Sequence, residues 1–279
     1  MTGSMKDPIK RVLGQTIYAS RLNGLLLKNT AVVVAFHRVK SSARQEGLTI
    51  DVPMFERYCR FFRDHFHVVP LRDIVTRLEQ GRRLNRELAI TFDDGYLDNF
   101  DNAAPVLERM SLPATFFVVT RWIGTNIVPW WDAAEGSRHP WMGWTHVRSL
   151  HQRGFDIGAH TRTHVNLGKV DAAGAHEEIA GARHDLERQL GSTTDLFAYP
   201  YGHRSNLADA ARAAVRDAGF RCCCSCFGGL VRPETDPFHL ARVPISPRYP
   251  SPYGFGFEVA SDRSLISVDP WRTACCLVG

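Results

Sequence analysis

The sequence predicts an α/β protein of parallel strands, curled into a (β/α) barrel and confined to a single domain. Three observations predict it. Short apolar runs, several of them β-branched, alternate with stretches of helical periodicity almost throughout the chain, as strands joined by helical crossovers do. About eight such runs fit into 279 residues with no Gly/Ser linker to divide them, which is the size of one barrel. No GxGxxG turn follows any run, and that removes the main support for an open dinucleotide-binding sheet.

The elements follow in order. Residues 9–28 set Ile9, Val12, Leu13, Ile17, Leu22, Leu25 and Leu26 among Lys10, Arg11, Arg21 and Lys28. This basic amphipathic segment either packs on its own domain or docks peripherally on a membrane surface. Ala31–Phe36 reads as the first buried strand. Asp51 caps a helix with Phe55, Tyr58, Cys59 and Phe62 on its apolar face. His67–Val69 is a second strand, and Leu71, Ile74, Val75 and Leu78 make a helix closed by Gly81. Leu88–Phe92 is the third strand, ending in Asp93-Asp94-Gly95. A helix over Asn102–Met110 leads through Pro113 to a strand at Ala114–Thr120. Residues 121–144 break the rhythm: Trp122, Trp130, Trp131, Trp141 and Trp144 mix with Pro129, Gly136 and Pro140, a long excursion. A helix at Thr145–Arg153, a strand at Phe155–His160 and a helix through Ile179, Ala182, Leu186 and Leu190, stopped by Gly191, restore it. Three last strands are expected at Leu196–Pro200, Phe220–Ser225 and Ala241–Ile245, with a helix over 206–218. Residues 1–30 then form an N-terminal segment, 31–250 the domain and 251–279 a tail.

Composition narrows the function. Hydrophobic residues at 44% and charged residues at 23% exclude disorder, a coiled coil and a collagen-like fibre. The net charge of +5 is spread along the chain and is too weak to indicate nucleic acid as a partner. Seven cysteines, odd in number and clustered at 222–226 and 275–276, read as buried thiols of a reducing compartment rather than a disulfide framework. A zinc site in the 222–226 run is disfavoured, because adjacent residues of a strand face opposite ways. Cys276–Gly279 has the form of a prenylation box, but Gly is not a typical terminal residue for one. No run of 18 apolar residues occurs, and Leu25–Leu27 is cut short by Lys28 with no cleavage site after it. Cytoplasmic residence is expected, membrane-peripheral if the N-terminal segment docks.

Two strand ends carry chemistry. Adjacent carboxylates at Asp93 and Asp94 repel unless something positive separates them; otherwise one caps the next helix and the other is solvated. His160 and His164, four residues apart in HTRTH, either converge on an ion or are unrelated surface groups. Together these ends supply a carboxylate and two imidazoles, the set that a catalytic zinc with open positions needs.

With TFDDG at 91–95, HTRTH at 160–164 and FAYPYG at 197–202 in this order, the chain resembles the polysaccharide deacetylases of carbohydrate esterase family 4. The shared unit is the NodB-homology domain, matched here from about Val32 to Ile245, and its fold is a distorted (β/α) barrel. The form FAYPYG is nearest a subgroup that includes biofilm poly-N-acetylglucosamine deacetylases. The resemblance implies that Asp93 is the general base and that Asp94, His160 and His164 hold a divalent metal, zinc first. It also implies that Tyr201 gives a backbone N–H to the oxyanion and that Pro200 lines the substrate site. The implied function is removal of acetyl groups from N-acetylhexosamine units of a polysaccharide, oligosaccharide or glycolipid.

The chain departs from the family in two places. The third motif usually carries an Arg that orients the base, and here Ala198 stands there; Arg242 is the candidate to replace it. The late Leu-x-His motif is absent, since 241–246 read ARVPIS, so His37 at the end of the first strand becomes the candidate acid, with His203 and His239 behind it. Trp130 and Trp131 are candidates to stack on sugar rings or to seal the long loop, and Asp132 to meet sugar hydroxyls or the metal shell. An O-acetyl esterase using the same metal site, for instance on acetylxylan, and a non-catalytic carbohydrate-binding protein are the alternative functions.

Overall fold

A computed structural model describes residues 6–41, 47–227, 229–247 and 249–261. Cys276–Gly279 and the rest of the expected tail beyond residue 261 lie outside them. Helix α1 (Lys6–Ala19) and the short α2 (Asn23–Leu26) precede β1 (Ala31–Phe36). A parallel pair, β2 (Arg38–Lys40) and β3 (Thr49–Asp51), leads into α3 (Val52–His65), whose first turn is capped by Asp51 accepting from Met54 N at 2.6 Å. Then come β4 (His67–Val68), α4 (Leu71–Glu79), β5 (Glu87–Phe92), α5 (Ala104–Arg109) and β6 (Thr115–Val118). The tryptophan-rich stretch holds one short helix, α6 (Trp130–Ala134). It is followed by α7 (Trp144–Gln152), β7 (Asp156–Ala159), α8 (Ala172–Leu190), α9 (Asp209–Asp217), β8 (Val243–Pro244) and α10 (Pro252–Ser261).

All strand pairs are parallel, in the order β7-β6-β5-β1-β8, with β4 beside the first residues of β5. Between β7 and β8 the sheet continues only through single parallel bridges, Ala159–Phe197, Ala198–Cys224 and Cys224–Leu240. The strands expected at 196–200 and 220–225 are thus reduced to bridging points, and that at 241–245 to two residues. Pro200 and Pro244 cannot donate to a ladder. The barrel is accordingly distorted, regular on the β1–β5–β6–β7 side and loosely stitched opposite. The helix expected over 102–110 starts in a π-type turn, Asn99–Ala103, and the one over 206–218 starts late, at Asp209.

Strand alternation sorts the core into two clusters. Val32, Val34, Phe36, Leu88, Ile90, Phe92 and Phe116 face the helix residues Phe55, Phe62, Leu107, Val147 and Ile179. Ala31, Val33, Ala89, Phe117, Leu196, Ala198, Cys222, Cys224 and Leu240 fill the interior of the ring. Leu71, Ile74, Val75 and Leu78 of α4 belong to this inner cluster, so α4 closes the lower end. Its charged residues reach the first residues of the strands around it: Arg72 donates to Asp156 at 3.0 Å, Arg77 lies 3.3 Å from Glu87, and Glu79 accepts from Arg221 at 3.1 Å. With α4 below and the middle of the ring packed, the open end among the described residues is the rim at the strands' C-terminal ends, where barrels of this kind place their chemistry.

Candidate active site

Each candidate group stands just past a strand end. Asp93 N donates to Phe36 O at 2.9 Å, prolonging the β1–β5 pairing by one residue. Asp94 then turns left-handed (φ 73°), as does Gly95 (φ 90°), where a Cβ would meet Val118 and Ile123 at 3.2 Å. That turn aims the two carboxylates apart. Thr161, His164 and Tyr201 are also left-handed, so four of the eight non-glycine residues in this conformation among the described residues surround one spot, where such strain is held by the surrounding packing.

Asp94 Oδ1 lies 3.5 Å from His160 Nε2 and 3.3 Å from His164 Nε2, and all three residues are buried. Their ligand atoms fall within 4.8 Å of one another. His160 Nδ1 is 2.8 Å from Ala198 O. A carbonyl only accepts, so Nδ1 carries a proton and Nε2 is the nitrogen turned toward Asp94. Asp94 Oδ1 and His164 Nδ1 have no hydrogen-bond partner among the described residues. Burial opposes charge on Asp94, yet its two imidazole neighbours outweigh it and hold the carboxyl well below the usual range; burial lowers His164 and keeps it neutral. An anion facing two imidazole nitrogens across such gaps fits a cation between them.

The histidine loop is fixed from α8. Glu178 accepts from the backbone N–H of Arg162 and of Thr163, both at 2.9 Å, and from the Thr163 hydroxyl at 2.7 Å. Thr161 Oγ1 accepts from His164 N at 3.0 Å. Trp122 stacks on the His164 ring at 5.1 Å, with Trp131 at 4.9 Å and Tyr201 at 4.8 Å.

Asp93 turns the other way, onto Arg242. Nη1 and Nη2 of Arg242 each donate to one Asp93 oxygen at 2.7 Å, Nη1 also donates to Thr91 Oγ1 at 3.0 Å, and Nε to Ser225 O at 2.5 Å. The guanidinium lies over the Phe117 ring at 5.4 Å and is wholly buried. Burial alone would raise the Asp93 carboxyl; the paired guanidinium and nearby imidazoles more than reverse this, so it stays ionised. His37 Nε2 lies 3.9 Å and Cys226 Sγ 4.0 Å from Asp93 Oδ2. Burial lowers His37 and pushes the Cys226 thiol up to about 12, so both are neutral near pH 7.

A narrow cleft joins these groups, lined by His37, Asp93, Asp94, His160, His164 and Tyr201 and walled by Trp131. Pro200 is buried and Trp130 stands 45% exposed beside Trp131 at 5.7 Å; neither lines the cleft. Asp132 meets no substrate space. It is fully buried, ion-paired to Arg38, and accepts from Tyr96 OH at 3.2 Å, tying the excursion to β2. His203 accepts from Ser205 N at 3.3 Å and His239 pairs with Asp236 at the surface, both outside the cleft. Sequence reasoning missed Cys226, Tyr199, Leu48 and the Trp122 stack. For Cys226 a signal existed: in a run where Cys222 and Cys224 face inward, the next residue of that parity reaches the inner rim.

A family model for polysaccharide deacetylase matches residues 80–223. Among curated proteins, the Staphylococcus aureus poly-beta-1,6-N-acetyl-D-glucosamine N-deacetylase is 21% identical over 240 residues, covering 78% of this chain and 80% of its own. Among solved structures, IcaB from Ammonifex degensii superposes with a TM-score of 0.69 at 24% identity, covering 82% of this chain and 97% of that one. The Streptococcus pyogenes deacetylase PplD, in complex with acetate, gives 0.69 at 18% identity with the same coverage.

Proposed function

The chain belongs to the polysaccharide deacetylase family, and on that premise we propose that it is a metal-dependent hydrolase removing acetyl groups from N-acetylglucosamine-type units of a glycan. One observation carries the reading: three buried donors, Asp94, His160 and His164, converge beside a second carboxylate, Asp93, that is held off them by Arg242. The likeness to a poly-N-acetylglucosamine deacetylase supports the choice of sugar.

Asp94, His160 and His164 would hold the ion. The donor set suits zinc, which when bound would polarise the acetyl carbonyl and make a water more acidic. The other steps fall to the chain. Asp93, ionised and fixed by two hydrogen bonds, takes the proton of the attacking water. The backbone N–H of Tyr201, in its left-handed turn at the cleft, donates to the oxyanion. An amine leaves poorly unless protonated, and His37, 3.9 Å from Asp93, stands where a proton can pass between the two and on to the leaving nitrogen. Trp131 offers the sugar an apolar wall.

The test measures metal content and acetate release together, on β-1,6-linked N-acetylglucosamine oligomers and on acetylxylan. Asp93→Asn should keep its metal and fold and lose roughly 10²–10⁴ in turnover; His164→Ala should lose both metal and turnover. Full metal occupancy in His164→Ala would refute the ligand assignment, and release from acetylxylan alone would replace the amide substrate by an ester.

A further inference from the structure

Six of the eight large apolar side chains that stand exposed among the described residues fall between residues 9 and 26: Ile9, Val12, Leu13, Leu22, Leu25 and Leu26. The helix that carries the first three is not loose. A Cβ on Gly14 would lie 1.9 Å from the Tyr253 carbonyl oxygen, so α1 meets α10 backbone to backbone. Tyr18 is buried beside Phe61 at 4.8 Å, and Lys10 pairs with Glu258. Ile9, Val12 and Leu13, spaced i, i+3 and i+4, occupy the opposite face, exposed by 61%, 59% and 43%. A helix anchored on one side and apolar on the other has a second surface to cover.

The charges beside it say what covers it. From Pro8 to Gln45 the sequence has no Asp or Glu, while Lys10, Arg11, Arg21 and Lys28 fall among the exposed apolar residues. Next to α1 lies a cavity of about 410 Å³ lined by Arg11, Arg57, Arg60, Asp64, His65 and Tyr253. Arg60 pairs with Glu56 at 2.9 Å, and Asp64 with Arg63 at 3.2 Å. Arg11 and Arg57 have no carboxylate partner among the described residues. Guanidinium groups without a carboxylate partner, in a hollow beside an apolar helix face, complement phosphate groups lying above hydrocarbon.

We propose that this face docks the enzyme on an anionic phospholipid bilayer, with the six apolar side chains entering the headgroup–acyl boundary and Arg11 and Arg57 meeting headgroup phosphates. Among the described residues no helix is long and apolar enough to cross a membrane, and the attachment through this face is peripheral and reversible. The full chain should co-sediment with vesicles containing phosphatidylglycerol, not with pure phosphatidylcholine, and less so as salt is raised. The triple variant Val12→Ser/Leu13→Ser/Leu25→Ser should bind at least tenfold more weakly, about what loss of that much apolar area gives. Arg11→Glu/Arg57→Glu should lose the preference for the anionic lipid. All these positions lie away from the cleft, so acetate release from soluble oligomers should not change and also shows that the variants fold. Its absence in the unaltered chain would count against the proposed function alone. Failure to bind phosphatidylglycerol vesicles, or binding untouched by both variants, would overturn the proposal. So would a dimer in sedimentation equilibrium that the serine variant dissociates and that ignores lipid, because a second copy would then be the partner.

Discussion

Arg242 holds Asp93 with two parallel hydrogen bonds at the buried base of the cleft, so removing the guanidinium leaves a bare buried carboxylate. Arg242→Met should destabilise the fold by about 3–5 kcal/mol, and adding Asp93→Asn should restore most of it. Urea unfolding of the two single variants and the double variant measures the coupling; additive losses would mean that the two residues act independently. His37 is tested by its chemistry. His37→Ala should depress turnover on N-acetyl substrates far more than on activated acetyl esters, whose leaving groups need no proton, with metal content unchanged. Equal losses on both would make it a positioning group. The sequence showed Asp93, Asp94, His160 and His164 through local motifs. Arg242 was reached only indirectly, as a candidate to replace the motif arginine missing at Ala198, because the pairing that defines it spans 149 residues. Asp132 was misread for the same reason: its partner Arg38 is 94 residues away.

At the level of elements, the histidine loop depends on a helix it does not belong to. Glu178 accepts two backbone N–H groups and a hydroxyl from it, so Glu178→Ala should weaken metal affinity roughly 10–100-fold with little loss of helix. Titration with a competing chelator reads this directly. Asp98 gives a pH-dependent counterpart. Its carboxyl accepts from Val39 N at 3.2 Å, and burial pushes it up to about 7. In the unfolded chain it ionises near 4, so the stability it lends as a neutral acid is complete below about pH 4 and lost as the pH rises through about 7. Asp98→Asn should therefore flatten the melting temperature between pH 5 and 8 and raise it at the alkaline end. The helices and first strands were legible because their apolar periodicity is long and regular, as in Ala31–Phe36 or Phe55–Phe62. The last third was not, since bridges of one residue leave no ladder for a pattern to follow.

On the scale of the whole molecule, the placement of α4 was the least legible feature. Its four apolar residues announce a helix, but nothing local says that they cap the ring rather than flank it. That cap has a kinetic consequence. The reaction space is a cul-de-sac: α4 and the packed interior leave one mouth, and a polymer chain laid across the strand ends occupies it. Acetate cut from the sugar is then formed on the inner side of the bound product and cannot leave before it. Product release is then expected to be ordered, with the deacetylated glycan first and acetate last, from an enzyme otherwise free. Acetate should thus inhibit competitively against the glycan, and the deacetylated oligomer should give a mixed pattern; the reverse assignment would mean a second exit.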